Sequence, residues 1–92
     1  MQSKEVKIVN KYGLHARPSA QLVKTAAFFK SDIYLEKDGL KVNGKSIMGV
    51  MMLAAEFDST VVVSAQGPDE KEAVETLSKL LSSDFQEVYD DE

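Results

Sequence analysis

Ninety-two residues suffice for one small domain with a single core and leave no room for a deep, enclosed active site. Fifteen acidic residues against 11 basic ones give a formal charge of −4, which argues against a nucleic-acid binder, since that function needs a basic face. The absence of cysteine excludes disulfides and thiolate metal sites, and one histidine argues against zinc, so neither metal nor cofactor is expected.

The start, Met1-Gln2-Ser3-Lys4-Glu5-Val6-Lys7, carries no apolar signal region, and no stretch approaches membrane-spanning length. A cytoplasmic protein without membrane insertion is the expectation. Glu5-Val6-Lys7-Ile8-Val9 alternates polar with apolar residues and predicts a first strand, which the turn Asn10-Lys11-Tyr12-Gly13 ends. From Ala16 to Phe29, Leu22, Val23, Ala26, Ala27 and Phe29 recur at helical spacing, with Gln21, Lys24 and Lys30 outside. This predicts an amphipathic helix, and Pro18 fits its first turn, where an N–H would have had no intrahelical partner anyway.

Ile33 and Leu35 alternate with Asp32, Tyr34 and Glu36 in a second strand, and Asp38-Gly39 turns the chain into a third at Leu40-Lys41-Val42. After the break at Asn43-Gly44-Lys45, Ser46 stands as N-cap before the apolar run from Ile47 to Ala55, which predicts a short second helix. Thr60 to Ala65 is rich in β-branched residues, with Val61, Val63 and Ala65 on one face and Val62 on the other, and predicts a central strand. Gly67-Pro68 stops it. Asp69 with Glu72 then reads as an acidic variant of the capping box, opening a third helix through Ala73, Val74, Leu77, Leu80 and Leu81 that ends near Ser82.

The order is therefore βαββαβα. One-sided strands and one-sided helices imply an α+β fold, an open four-stranded antiparallel sheet with three helices on one face. A single domain over 1–83 is expected, followed over 84–92 by an acidic segment with Phe85, Val88 and Tyr89 scattered through it. A frayed tail is its favoured reading, and local docking of Phe85 or Tyr89 the alternative.

The only histidine lies in Gly13-Leu14-His15-Ala16-Arg17-Pro18-Ser19, at a strand-to-helix turn. With a helix starting at Ala16, the backbone N–H groups of Ala16 and Arg17 are not used inside the helix, and the positive end of its dipole points toward the ring. A phosphoryl group on His15 would meet ready-made donors there. Arg17 adds a permanently charged fork that suits phosphate oxygens, and Gly13 allows the tight turn.

A second cluster is Ser46-Ile47-Met48-Gly49-Val50-Met51-Met52-Leu53, too apolar for a short helix that buries one face. Positions 47, 48 and 51 share one side and 50, 53 and 54 another, so both cannot face the core. Either the helix is squeezed between other elements, or Ile47, Met48 and Met51 form an exposed patch that receives partners, a role that methionine's adaptable side chain suits. A phosphoryl group on Ser46 would be favoured by the helix dipole and would set negative charge beside that patch. Lys24, Lys30, Lys45, Lys71 and Lys79 read as solvated faces, with help in docking an acidic partner as the alternative for Lys24 and Lys45.

Taken together, Gly13-Leu14-His15-Ala16-Arg17-Pro18, Lys45-Ser46-Ile47-Met48-Gly49-Val50-Met51 and Gly67-Pro68-Asp69-Glu70 resemble HPr, the histidine-containing phosphocarrier family of the bacterial phosphoenolpyruvate:sugar phosphotransferase system. The likeness runs from about Lys4 to Ser83. It implies the HPr-like open-faced β-sandwich, with His15 taking a phosphoryl group on Nδ1 from phosphorylated enzyme I and passing it to an enzyme IIA domain. It also implies that Arg17 steadies that group and that Ser46 is the target of a regulatory kinase/phosphorylase. Such a protein is a carrier, not an enzyme, and a monomer is favoured because docking needs the site exposed. Met52-Leu53-Ala54-Ala55-Glu56-Phe57-Asp58 departs from the family's usual Ser-Leu-Gly-rich continuation. A competing reading is a regulatory module that binds a transcription factor or metabolic enzyme through Ser46, Ile47, Met48 and Met51; a carrier in a parallel nitrogen-linked branch is a third.

Overall fold

The computed structural model describes residues 1–83, so the expectations for Phe85, Val88 and Tyr89 lie outside the described residues. The elements are β1 (Gln2–Lys7), α1 (Ala16–Ala26), β2 (Asp32–Lys37), β3 (Leu40–Asn43), α2 (Ile47–Met52), β4 (Thr60–Gln66) and α3 (Glu70–Leu81). The four strands form one sheet in the order β1-β4-β2-β3, with every neighbouring pair antiparallel. This is the α+β, βαββαβα open-faced sandwich that the sequence predicts.

β4 is central, as its run of β-branched residues requires. Its alternation sets the layers: Val61, Val63 and Ala65 are fully buried, whereas Val62 on the opposite face is only half-buried. The core lies between that inner face and the helices, where Leu22 of α1, Val50 of α2 and Leu77 of α3 are each fully buried. Asp38 and Gly39 both take positive φ, 52° and 85°, which is the backbone a tight two-residue hairpin between β2 and β3 needs.

The bounds of β1, α1 and α2 depart most from the sequence reading. β1 starts at Gln2, because six residues of β1 pair with β4 from Gln2↔Ala65 to Lys7↔Thr60 whatever their polarity. Pairing goes on past its end, with Ile8 N–H donating to Ser59 O and Asp58 N–H to Ile8 O. α1 stops at Ala26 rather than Phe29, since Phe28 and Phe29 donate to carbonyls three residues back and tighten the last turn. Ala27, expected in the apolar stripe, keeps helical backbone but is exposed beside buried Ala26. α2 stops at Met52 because Ala54 takes a φ of 51°, which a right-handed helix cannot hold. That places Ala54 outside, while Val50 and Leu53 face the core.

The capping box at α3 is also corrected. Asp69 makes no side-chain cap; its carboxylate accepts from Lys30 N–H and Ser31 N–H, each at 2.9 Å, and from the Ser31 hydroxyl. Glu70, not Glu72, reaches back to Gly67 N–H, at 3.1 Å. Asp69 thus satisfies the backbone of the α1–β2 connection from 38 residues away, a use that local capping rules do not see. The Ser31 hydroxyl first, then the Lys30 N–H, holds its carboxyl down from 3.8 to about 2.

A carboxylate depressed on folding stabilises the protein above its unfolded pKa and loses that contribution as pH falls toward its folded value. Resistance to urea is therefore expected to fall between about pH 4 and pH 2, with Glu70, lowered chiefly by the Gly67 N–H, acting in the same direction. Asp69→Asn should show a lower urea midpoint at pH 7 and a flatter decline with acid. Equal midpoints for parent and variant at pH 7 would show that the Ser31 tether contributes nothing.

Candidate functional site

His15 is the N-cap residue of α1, with extended backbone at φ −79° and ψ −169°. It is held from both sides by short-range bonds. Behind it, buried Ser19 donates its N–H to the His15 carbonyl and its hydroxyl to the Leu14 carbonyl, both at 3.0 Å. Ahead of it, buried Asn10 closes a turn twice over, accepting Gly13 N–H on its carbonyl and donating its side-chain amide to Gly13 O. Leu14 N–H donates to Ala55 O at 2.8 Å, tying the turn to the segment after α2.

The imidazole is half-buried, with Nε2 shut off from solvent. Tyr12 stands beside it in an edge-to-face contact, ring centroids 6.0 Å apart and planes at 79°. Together with Lys11, Leu14 and the segment from Ala54 to Phe57, these two rings line an open groove of about 440 Å³. Tyr12 and Phe57 are more than half exposed there, and neither was singled out by the sequence reading. Nothing in their local pattern separates them from ordinary surface aromatics.

Ala16 and Arg17 occupy the first turn of α1 and are exposed, as an anion site at a helix start requires. Lys24 lies in the last turn, about 12 Å further along the axis, and faces solvent. It does not belong to the His15 cluster. Lys45 is used internally: its ammonium donates to the Phe29 carbonyl at 2.7 Å, at the C-terminal end of α1.

Ser46 is the N-cap of α2, its hydroxyl accepting Gly49 N–H at 3.1 Å. Ile47, Met48 and Met51 are exposed, Met48 by 71%, and Met52 at 66% extends the same patch. The sequence contradiction over α2 is resolved by geometry: Val50 and Leu53 take the core side and four large apolar side chains are left outside. α2 packs on α1, and Ala55, just past its end, is bonded to the residue before His15. Ser46 opens the other end, about 9 Å away along six residues. The methionine patch therefore lies along the helix that links the two candidate sites.

Among the described residues no group of three or more His, Cys, Asp or Glu could hold a metal ion, and no helix is long and apolar enough to cross a membrane. What the geometry defines is a small open-faced sandwich presenting one histidine at a helix start, a form suited to carrying a group between larger proteins. The family model described as "PTS HPr component phosphorylation site" matches residues 2–83, and the chain belongs to that family, the HPr phosphocarriers of the phosphotransferase system.

Its relatives agree. It is 47% identical over 87 residues to the phosphocarrier protein HPr of Cupriavidus necator, covering 95% of this chain and 98% of that one. The crystal structure of HPr-C-His from Thermoanaerobacter tengcongensis superposes with a TM-score of 0.90 at 49% identity, covering 96% and 99% of the two chains. That of Crh, a Bacillus subtilis catabolite repression protein described as a dimer with a swapped domain, gives 0.74 at 48% identity, covering 91% and 97%.

Proposed function

We propose that this chain accepts a phosphoryl group on His15 Nδ1 from phosphorylated enzyme I and donates it to enzyme IIA domains in sugar uptake. The observation that carries this reading is the placement of a half-buried imidazole as the N-cap of α1 with its Nε2 buried. With Nε2 enclosed by protein, Nδ1 is the ring nitrogen assigned to take the phosphoryl group. Its lone pair attacks phosphorus as the bond to the donor breaks, and the group later leaves by the reverse chemistry toward the next acceptor. The N–H groups of Ala16 and Arg17 and the Arg17 guanidinium stabilise the negative charge on the transferred group.

The protein is consumed and regenerated one phosphoryl at a time, so it acts as a carrier and not as an enzyme, and it needs no cofactor. A shallow site serves it, because two different proteins must reach His15 in turn. We assign this role to a monomeric cytoplasmic unit over 1–83. The test is incubation with enzyme I and labelled phosphoenolpyruvate: one acid-labile phosphate per chain is expected, and no label would sink the reading.

Ser46 is assigned to control by a seryl kinase/phosphorylase. Its hydroxyl caps α2 at the edge of the Ile47, Met48 and Met51 patch, so phosphorylation adds a charge of about −1.5 to −2 where partners dock. An acidic or phosphorylated partner is repelled there, and Lys24, which faces solvent, works in the opposite sense. Lys45 adds its positive charge beside Ser46 while bonded to Phe29 O. Ser46→Asp, with one charge, is expected to slow His15 labelling about 2- to 5-fold at low salt, and the difference should shrink as salt rises. Equal labelling rates for Ser46→Asp and the parent would refute this electrostatic account.

A second reading is favoured by the exposed apolar patch and the likeness to Crh: a regulatory module that binds a transcription factor or metabolic enzyme through Ser46, Ile47, Met48 and Met51. The two roles are compatible. Met48→Lys should abolish such binding and leave spontaneous hydrolysis of the phosphohistidine unchanged.

A further inference from the structure

We propose that Tyr12 is a positioning residue that restrains the motion of the His15 imidazole and keeps the ring poised for phosphorylation; this rests on His15 being the phosphoryl acceptor. A half-buried ring that is open to a groove on one side keeps freedom about its Cα–Cβ and Cβ–Cγ bonds, which a neighbouring ring can reduce. On the inner side, Nε2 is enclosed by protein. On the groove side, the Tyr12 ring lies 6.0 Å away at 79°, within the geometry that aromatic pairs favour.

Tyr12 can do this because it is itself held. It occupies the third position of the turn Asn10–Gly13, whose ends are joined both by Gly13 N–H on Asn10 O and by the Asn10 side-chain amide on Gly13 O. Asn10 is fully buried, so this exposed aromatic stands on an anchored backbone. The Lys11 ammonium lies 5.4 Å from the Tyr12 centroid, a cation–π distance that further orders the ring. The turn therefore presents a cation, an aromatic wall and the imidazole in sequence along one groove. The phenol hydroxyl has no part in this account. Only the ring is required.

An aromatic pair of this kind changes a conformational equilibrium by about 2- to 12-fold. The test compares Tyr12→Ala and Tyr12→Phe with the parent, using enzyme I and phosphoenolpyruvate for transfer and ¹³C relaxation at the His15 Cδ2–H and Cε1–H positions for ring order. For Tyr12→Ala the maximal rate of His15 phosphorylation should drop about 2- to 12-fold with KM for enzyme I unchanged, and the ring should become more mobile. Tyr12→Phe should restore both. A rise in KM at unchanged maximal rate would make Tyr12 a partner contact and overturn the proposal, as would an unchanged rate or a Phe variant as impaired as the Ala one. If the parent accepts no phosphoryl group, the relay reading fails by itself. Ring order then decides for Tyr12: greater mobility in Tyr12→Ala supports positioning, and unchanged mobility overturns it.

Discussion

His15→Ala is expected to abolish acid-labile phosphorylation by enzyme I and phosphoenolpyruvate, with no residual label above background. The chain contains no second histidine to substitute for it, and loss of the nucleophile removes the bond-forming atom rather than weakening a contact. The fold should be little affected. His15 makes no side-chain cap to α1, and its position is set by backbone bonds from Ser19 and by its neighbours, all of which survive the substitution. An unfolding free energy within about 0.5–1 kcal/mol of the parent is expected, in line with half-exposed side chains elsewhere. A variant that keeps its acid-labile label would place the acceptor elsewhere; a variant that unfolds would show that the ring is structural.

Gly13→Ala is expected to destabilise the protein by about 2–4 kcal/mol by chemical denaturation. Two costs combine. Gly13 takes a φ of 68°, which costs a residue with a Cβ about 1–2 kcal/mol. The added Cβ would also run into the Ala55 carbonyl oxygen and lie 2.9 Å from Glu56 Cα, both backbone atoms that cannot swing aside. The same Ala55 oxygen accepts from Leu14 N–H, so relief of the clash disturbs the bond that anchors the residue before His15. His15 labelling should therefore slow even where the variant remains folded. Gly39→Ala is the control: its φ is 85°, but nothing lies within 4 Å of the added carbon, so only the backbone cost applies and labelling is unchanged. Equal destabilisation by the two substitutions would refute the close-approach account.

The relation between pattern and structure is uneven along the chain. Ser46 was legible as a cap because the bond it makes, to Gly49 three residues on, is wholly local. Asp69 was misread for the converse reason: its three donors belong to Lys30 and Ser31, and no spacing within the helix it precedes encodes them. Lys45 reads as a solvated face for the same reason, whereas its ammonium donates to a carbonyl 16 residues away.

What the sequence by itself determined is the order and type of the seven elements of the described residues, the central place of β4 and the places of His15 and Ser46 at the starts of two helices. These follow from periods of two and 3.6 and from chemistry carried by adjacent residues, which need no third dimension to read. Only the tertiary structure decided where β1, α1 and α2 end, which apolar side of α2 stays outside, and that Tyr12 stands against the His15 ring. Those outcomes depend on pairing partners and close approaches between distant segments, and on which surfaces the sheet has area to cover. Local propensity carries none of that information.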